Sequence, residues 1–145
     1  DQLINIFPKK INKFHDVFCG ALNVSINVDA NYYKCYDHNT FIIDMFNYFK
    51  NNKKEDLILS INGIIKKYQL DKNNQLGYLK LRSDFNKSPN EIKLFVLSCF
   101  SFNNIIRFNN KMKFNAPFGK GKSSYNKNIE QRLITLVDSL KWFFH

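Results

Sequence analysis

Two groups of residues in this sequence could do chemistry. The first is Asp16-Val17-Phe18-Cys19-Gly20-Ala21, with a second acid, Asp37, twenty-one residues after Asp16. A glycine at the end of a strand lets a ligand approach the backbone closely. An acid ending the next strand can then hydrogen-bond ribose hydroxyls, which makes the nucleotide-binding corner of an α/β fold. A lone glycine after a strand also suits a plain turn, and both readings stand. The second group is defined by what it lacks. Between Glu91 and Glu130 there is no acidic residue, while the interval holds Lys93, Arg107, Lys111, Lys113, Lys120, Lys122 and Lys127. A surface so one-signed attracts polyanions, nucleic acid first among them. Asn and Lys are abundant throughout, as in proteins encoded by AT-rich DNA, so the net charge of +10 weighs less than its distribution.

Elements that could position these groups follow from pattern. Residues 1–7 read as the end of a helix stopped by Pro8. Residues 13–19 read as a strand running into Gly20, residues 23–28 as a short helix, and residues 32–36 as a second strand ending at Asp37. Residues 40–50 form a helix with Phe41, Met45 and Phe49 on one face. Strand, glycine turn, helix, strand, acid, helix is the opening of a Rossmann-like α/β fold. Past the polar run 51–56 the pattern changes to helices over 57–68 and 75–84. Ser88, Pro89 and Glu91 read as N-cap, first turn and capping-box acid of a helix reaching about Phe100. Two β-prone pieces, 104–109 and 113–117, predict a hairpin, and 119–127 a flexible basic loop. Residues 128–142 predict a closing helix with Ile129, Leu133, Leu136, Val137 and Leu140 on one face. The sheet is unfinished, since no third or fourth parallel strand follows.

Three blocks in the second half carry a specific resemblance. They are Tyr78, Leu81, Arg82, Phe85 and Asn86, then Phe102, Asn103, Ile105, Arg107 and Asn109, then Phe114, Asn115, Pro117, Phe118 and Gly119. Their order and spacing resemble the DNA-recognition region of the Dam-type (alpha-class) DNA adenine-N6 methyltransferases. That family shows Y-x-x-L-R-x-x-F-N, then aromatic-N-G-L-x-R-x-N, then F-N-x-P-[FY]-G. The first half is similar too: Asp16, Phe18 and Gly20 fit D/E-x-F-x-G-x-G, and Asp37-His38-Asn39 fits D-x-N. Leu22 departs from the pattern where the family has its second glycine. The family's Asp-Pro-Pro-Tyr catalytic motif is missing, because Pro8, Pro89 and Pro117 are the three prolines and none adjoins another. A glycine-lysine motif before the first strand is missing as well.

The resemblance implies S-adenosylmethionine as cofactor and double-stranded DNA as partner. It implies Asp37 on the cofactor ribose, Gly20 beside the methionine end, Phe18 packed under the site and Asp16 structural or near the cofactor's amino group. It implies Phe102 and Asn103 as a wedge in the DNA, Arg107 as a reader of guanine and Ile105 against a thymine methyl. Pro117 would pack beside a base. Lys111, Lys113, Lys120 and Lys122 then serve as phosphate contacts. Core packing is the other reading of Phe102 and the favoured one of Phe108, and the lysines could be a solvated face.

The expected architecture is an incomplete Rossmann-like methyltransferase fold with a helical target-recognition insertion carrying a β-hairpin. Residues 1–52 would be the partial cofactor region, 53–128 the recognition region, and 129–145 a helix leading back toward catalytic strands outside the chain. The expected function is site-specific DNA adenine-N6 methylation by a fragment or split piece of such an enzyme, inactive alone, with a second chain as one source of the catalytic motif. A non-catalytic DNA-binding module is the alternative, and a basic RNA-binding domain a third. Cys19, Cys35 and Cys99 are too few and too widely spaced for a disulfide framework or zinc motif, and His15, His38 and His145 form no ligand cluster. With no long apolar run and no signal peptide, the expectation is a soluble cytoplasmic protein without a structural metal.

Overall fold

The computed structural model describes residues 3–143, with side chains described as far as residue 140. Asp1, Gln2, Phe144 and His145, which fall within the expected elements 1–7 and 129–145, lie outside the described residues. Two strands, β1 (Ile11–Asp16) and β2 (Ala30–Cys35), pair in parallel, with Asp16 opposite Cys35. The crossover holds one 3-10 turn, Ser25–Asn27, instead of the helix expected over 23–28. The first strand also ends three residues before the expected limit at Cys19. The chain leaves the sheet after Asp16, and Val17 and Phe18 stand exposed. At the amino end, a 3-10 turn at Ile4–Ile6 precedes Pro8 where a helix end was expected.

Five helices follow: α1 (Thr40–Asn51), α2 (Lys54–Tyr68), α3 (Gln75–Lys87), α4 (Glu91–Phe100) and α5 (Lys127–Phe143). Their ends explain their limits. Gln69 closes α2 in the left-handed region (φ 51°), its amide reaching the Ile65 and Lys66 carbonyls. Asn74 caps α3 by accepting from the Gly77 amide. Asn90, not Ser88, caps α4 through the Ile92 and Lys93 amides. The expected capping box fails because α3 continues to Lys87 and takes Ser88 as its own C-cap. Asn126 caps α5 in the same manner, accepting from Asn128 and Ile129.

One hydrophobic core runs from Cys19 and Leu22 through Met45, Phe46 and Phe49 of α1 to Leu133, Val137 and Leu140 of α5. The apolar α4 lies at its centre, with Leu94, Val96, Leu97 and Phe100 buried, and packs against α1, α2 and α3. The expected apolar faces of α1 and α5 are the ones buried. Among the described residues the architecture is mixed α/β, five α-helices and a two-stranded parallel sheet, with α5 packed on β2.

Candidate functional site

The glycine and the acid of the first half meet. The Gly20 amide donates to Asp37 Oδ2 at 2.9 Å, and the Asn39 amide donates to Asp37 Oδ1 at 2.8 Å. The Cys19 amide donates to the Tyr36 carbonyl, so the loop after β1 folds over the end of β2. All of this lies at the carboxyl ends of the strands, the end where open α/β sheets hold ligands. Each carboxylate oxygen has two acceptor sites, so Asp37 keeps capacity for hydroxyl donors after serving two backbone amides. Gly20 (φ 47°) has nothing within 4 Å of the place a Cβ would take, leaving open space over the backbone. A ribose-bearing ligand fits these residues.

Asp16 has a different task, since its Oδ2 accepts from the Ser25 hydroxyl at 2.7 Å and ties the crossover to the strand. Phe18 is 84% exposed, lying against little among the described residues. Leu22, at the second-glycine position, takes the backbone a glycine would (φ 62°) yet is 0% exposed, its side chain sunk in the core. A leucine pays about 1–2 kcal/mol in the left-handed region, which burial of the side chain offsets.

The second half builds a hairpin without strands. Antiparallel bridges join Phe108 to Phe114 and Ser101 to Phe118. Further rungs run from the Asn115 amide to the Arg107 carbonyl (2.9 Å), from Asn109 to Lys113 (2.9 Å) and from Phe102 to Pro117 (2.8 Å). Neither limb forms the strand expected of it, and side chains from α3 take the outer edge of the second limb. Asn86 lays its amide along the second limb, Oδ1 accepting from the Phe114 amide (2.8 Å) and Nδ2 donating to the Phe114 carbonyl (3.0 Å). The Tyr78 hydroxyl and Arg82 Nη1 both donate to the Ala116 carbonyl. Burial pushes the Tyr78 phenol well above its ordinary range, against the opposing pull of Arg82 and Arg107. These three residues stand four apart, hence on one helix face. That spacing was readable, but their work as a brace for the hairpin was missed.

The face so braced carries most of the expected reading residues. Phe102 is 50% exposed and Asn103 is exposed, both beside Pro117 through the Phe102–Pro117 bond. Asn103 and Asn104 both take left-handed backbone (φ 54°). Asn104 stands where the pattern above has glycine, and Asn is among the residues that tolerate that region. Arg107 is exposed, with Nε donating to Asn115 Oδ1 (2.9 Å) and Nη2 to the Asn115 carbonyl (2.7 Å). Phe108 is a core aromatic, stacked on Phe41 with ring centres 5.1 Å apart and edge-on to Phe114. Ile105 is half-buried against the core. Lys111, Lys120 and Lys122 are exposed. Lys113 Nζ donates to the Asn86 carbonyl at 2.6 Å and keeps its other hydrogens. Within 119–127, expected as a flexible basic loop, residues 119–122 make a turn, the Gly121 amide bonding to the Lys72 carbonyl at 2.6 Å.

The two groups adjoin. His38 and Asn39, next to Asp37, line a cleft of about 520 Å³ with Phe108, Asn109, Asn110 and Met112. The three thiols are free, Cys19 and Cys99 being buried. Among the described residues no helix is long and apolar enough to cross a membrane.

Comparison with known proteins identifies the family. Residues 1–141 match the model of the D12 class N6 adenine-specific DNA methyltransferases. The chain is 41% identical over 141 residues to the modification methylase StsI of Streptococcus sanguinis, covering 97% of this chain and 22% of that one. It is 35% identical to the type II methyltransferase M.FokI of Planomicrobium okeanokoites, with the same coverage. It is 31% identical to the DNA adenine methylase of Haemophilus influenzae, covering 91% of this chain and 46% of that protein. The chain thus spans about a fifth of the length of the first two relatives. Matched by the family's model over nearly its whole length, the chain belongs to the D12 class N6 adenine-specific DNA methyltransferase family.

Proposed function

We propose that this chain is the target-reading part, with a portion of the cofactor corner, of a site-specific DNA adenine-N6 methyltransferase of a restriction-modification system acting in the cytoplasm. The observation that carries the reading is Arg107, exposed and held in a fork on a hairpin that α3 braces, beside exposed Phe102, Asn103 and Pro117. Adenine N6 cannot be reached within the stack, so the base must leave the helix. Phe102 and Asn103 fill the space beside the opened pair, Ile105 touches a thymine methyl and Pro117 packs on a base. Arg107 makes paired contacts to guanine O6 and N7, worth about 1–3 kcal/mol of discrimination. Lys111, Lys113, Lys120 and Lys122 hold phosphates, supplying affinity and salt dependence.

Asp37 and Gly20 would hold S-adenosylmethionine, with Asp16 steadying the loop and Phe18 covering the ligand. S-adenosylmethionine, when bound, supplies the methyl group. On this reading residues 1–52 belong to a Rossmann-like unit, 53–128 to a recognition insertion and 129–145 to the helix returning toward the catalytic strands. The division is one of tasks, since all three share one core. The motif that holds the amino group is not among these residues, so the chain alone does not turn over and another segment or chain completes the site.

Calorimetric titration of S-adenosylmethionine into the chain, with and without duplex DNA, tests the proposal. Binding of both ligands is expected. DNA binding without cofactor binding would favour a non-catalytic module, which the three separated prolines also suit. Binding of neither would remove the proposal.

A further inference from the structure

We propose that Asn115 is a positioning residue for specificity: it fixes the Arg107 guanidinium so that the arginine reads a base with its terminal edge. This rests on the base-reading role of Arg107 proposed above and adds how the arginine is aimed. Arg107 carries five N–H donors. Two are occupied, Nε–H by Asn115 Oδ1 at 2.9 Å and one Nη2 hydrogen by the Asn115 carbonyl at 2.7 Å. The side-on edge of the fork is therefore filled by Asn115. What remains is the end-on edge, the two Nη1 hydrogens and the outer Nη2 hydrogen.

Asn115 is itself rigidly placed. Its amide closes a rung on the Arg107 carbonyl at 2.9 Å, so the two residues face each other across the hairpin. Its neighbours on either side are pinned to α3, Phe114 by Asn86 and Ala116 by Tyr78 and Arg82. Among the described residues no carboxylate is paired with Arg107, and its two bonds to Asn115 both go to neutral oxygens. The arginine keeps its full charge for DNA while its torsions are restrained in advance. Ordering a long side chain on binding costs affinity, and an arginine already ordered avoids that loss at the matched base.

Nuclear magnetic resonance of the free chain tests the clamp, and DNA selection tests its use. The Arg107 Nε–H signal is expected to be rigid in the wild type and mobile in Asn115→Ala. Duplexes are then enriched from a random-sequence library by the wild-type chain. Binding to an enriched duplex is compared with binding to unselected duplex for each variant. Asn115→Ala is expected to lower that ratio roughly twofold to tenfold and to leave unselected duplex nearly unchanged. In an Arg107→Ala background it should cost nothing further. Asn115→Asp keeps the acceptor for Nε and should keep the ratio while weakening all binding, and it serves if the alanine variant does not fold. An Nε–H equally mobile in both proteins would overturn the proposal. So would an equal loss on every duplex from Asn115→Ala, or an added loss without Arg107, either of which marks Asn115 as a direct DNA contact, and so would a ratio lowered by Asn115→Asp. If Arg107→Ala itself leaves the ratio unchanged, the base-reading role falls and this use of the clamp with it, whatever the resonance shows.

Discussion

Replacing Asn86 with alanine should loosen the 101–118 hairpin more than any surface change of its size. The side chain makes two hydrogen bonds, 2.8 and 3.0 Å, to the amide and carbonyl of Phe114, a residue 1% exposed. Each neutral bond contributes about 0.5–1.5 kcal/mol net, and a buried backbone group left without a partner costs about 1–3 kcal/mol. Two backbone groups lose their partner, which implies a loss of about 2–6 kcal/mol. In a chain of this length about 3 °C accompanies each kcal/mol, so Tm should fall by about 6–18 °C. Lys113 bonds to the Asn86 main chain, so that contact survives and the variant isolates the side chain. Urea unfolding followed by circular dichroism gives the free energy, and hydrogen exchange at the Phe114 amide gives the place. A loss below about 0.5 kcal/mol with unchanged exchange at Phe114 would refute the reasoning, because it would mean water replaces the amide without penalty.

Other perturbations follow from the same contacts. Gly119→Ala would drive a Cβ into the Ser123 side chain and to 2.8 Å from the Ser101 carbonyl oxygen. It should cost about 1–3 kcal/mol in urea unfolding, and an unchanged midpoint would contradict the packing. Leu22→Gly relieves a left-handed leucine but empties a fully buried site, so a net loss of about 1–4 kcal/mol is expected; a stabilised variant would show that strain outweighs burial. Burial pushes the Cys99 thiol from 9.0 up to about 12. The folded state keeps this proton while the unfolded state loses it, so the contribution is whole below pH 9.0 and is lost as pH rises toward 12. Urea midpoints at about pH 8 and about pH 10.5 should therefore diverge less in Cys99→Ala than in the wild type; equal divergence would contradict the burial of this thiol.

Periodic apolar faces were the most legible part of the fold. Met45 and Phe49 in α1, and Leu133, Val137 and Leu140 in α5, are buried where spacing put them. Ends were less legible, because caps compete. Ser88 and Asn90 are both good caps, and the extra turn of α3 decides between them. The hairpin was half legible. Its two limbs and turn are where β propensity placed them, but propensity cannot show that Asn86, Tyr78 and Arg82, some thirty residues away, supply the bonds a neighbouring strand would supply. The same distance hid the partner of Arg107. No acid lies near it in sequence, and an amide eight residues on takes that place. In the first half, spacing put Gly20 and Asp37 at the same end of the sheet, where the structure shows them hydrogen-bonded, while the exposure of Phe18 depends on which surfaces the chain itself provides.

The central claim is that this hairpin reads bases and does not merely hold phosphates. Its most direct test is Arg107→Ala against Lys120→Ala, each measured on an enriched duplex and on unselected duplex over a range of salt. The account predicts that Arg107→Ala lowers discrimination by about 1–3 kcal/mol. Lys120→Ala should weaken both duplexes alike and reduce the salt slope by about one. Equal weakening of both duplexes by Arg107→Ala would contradict it.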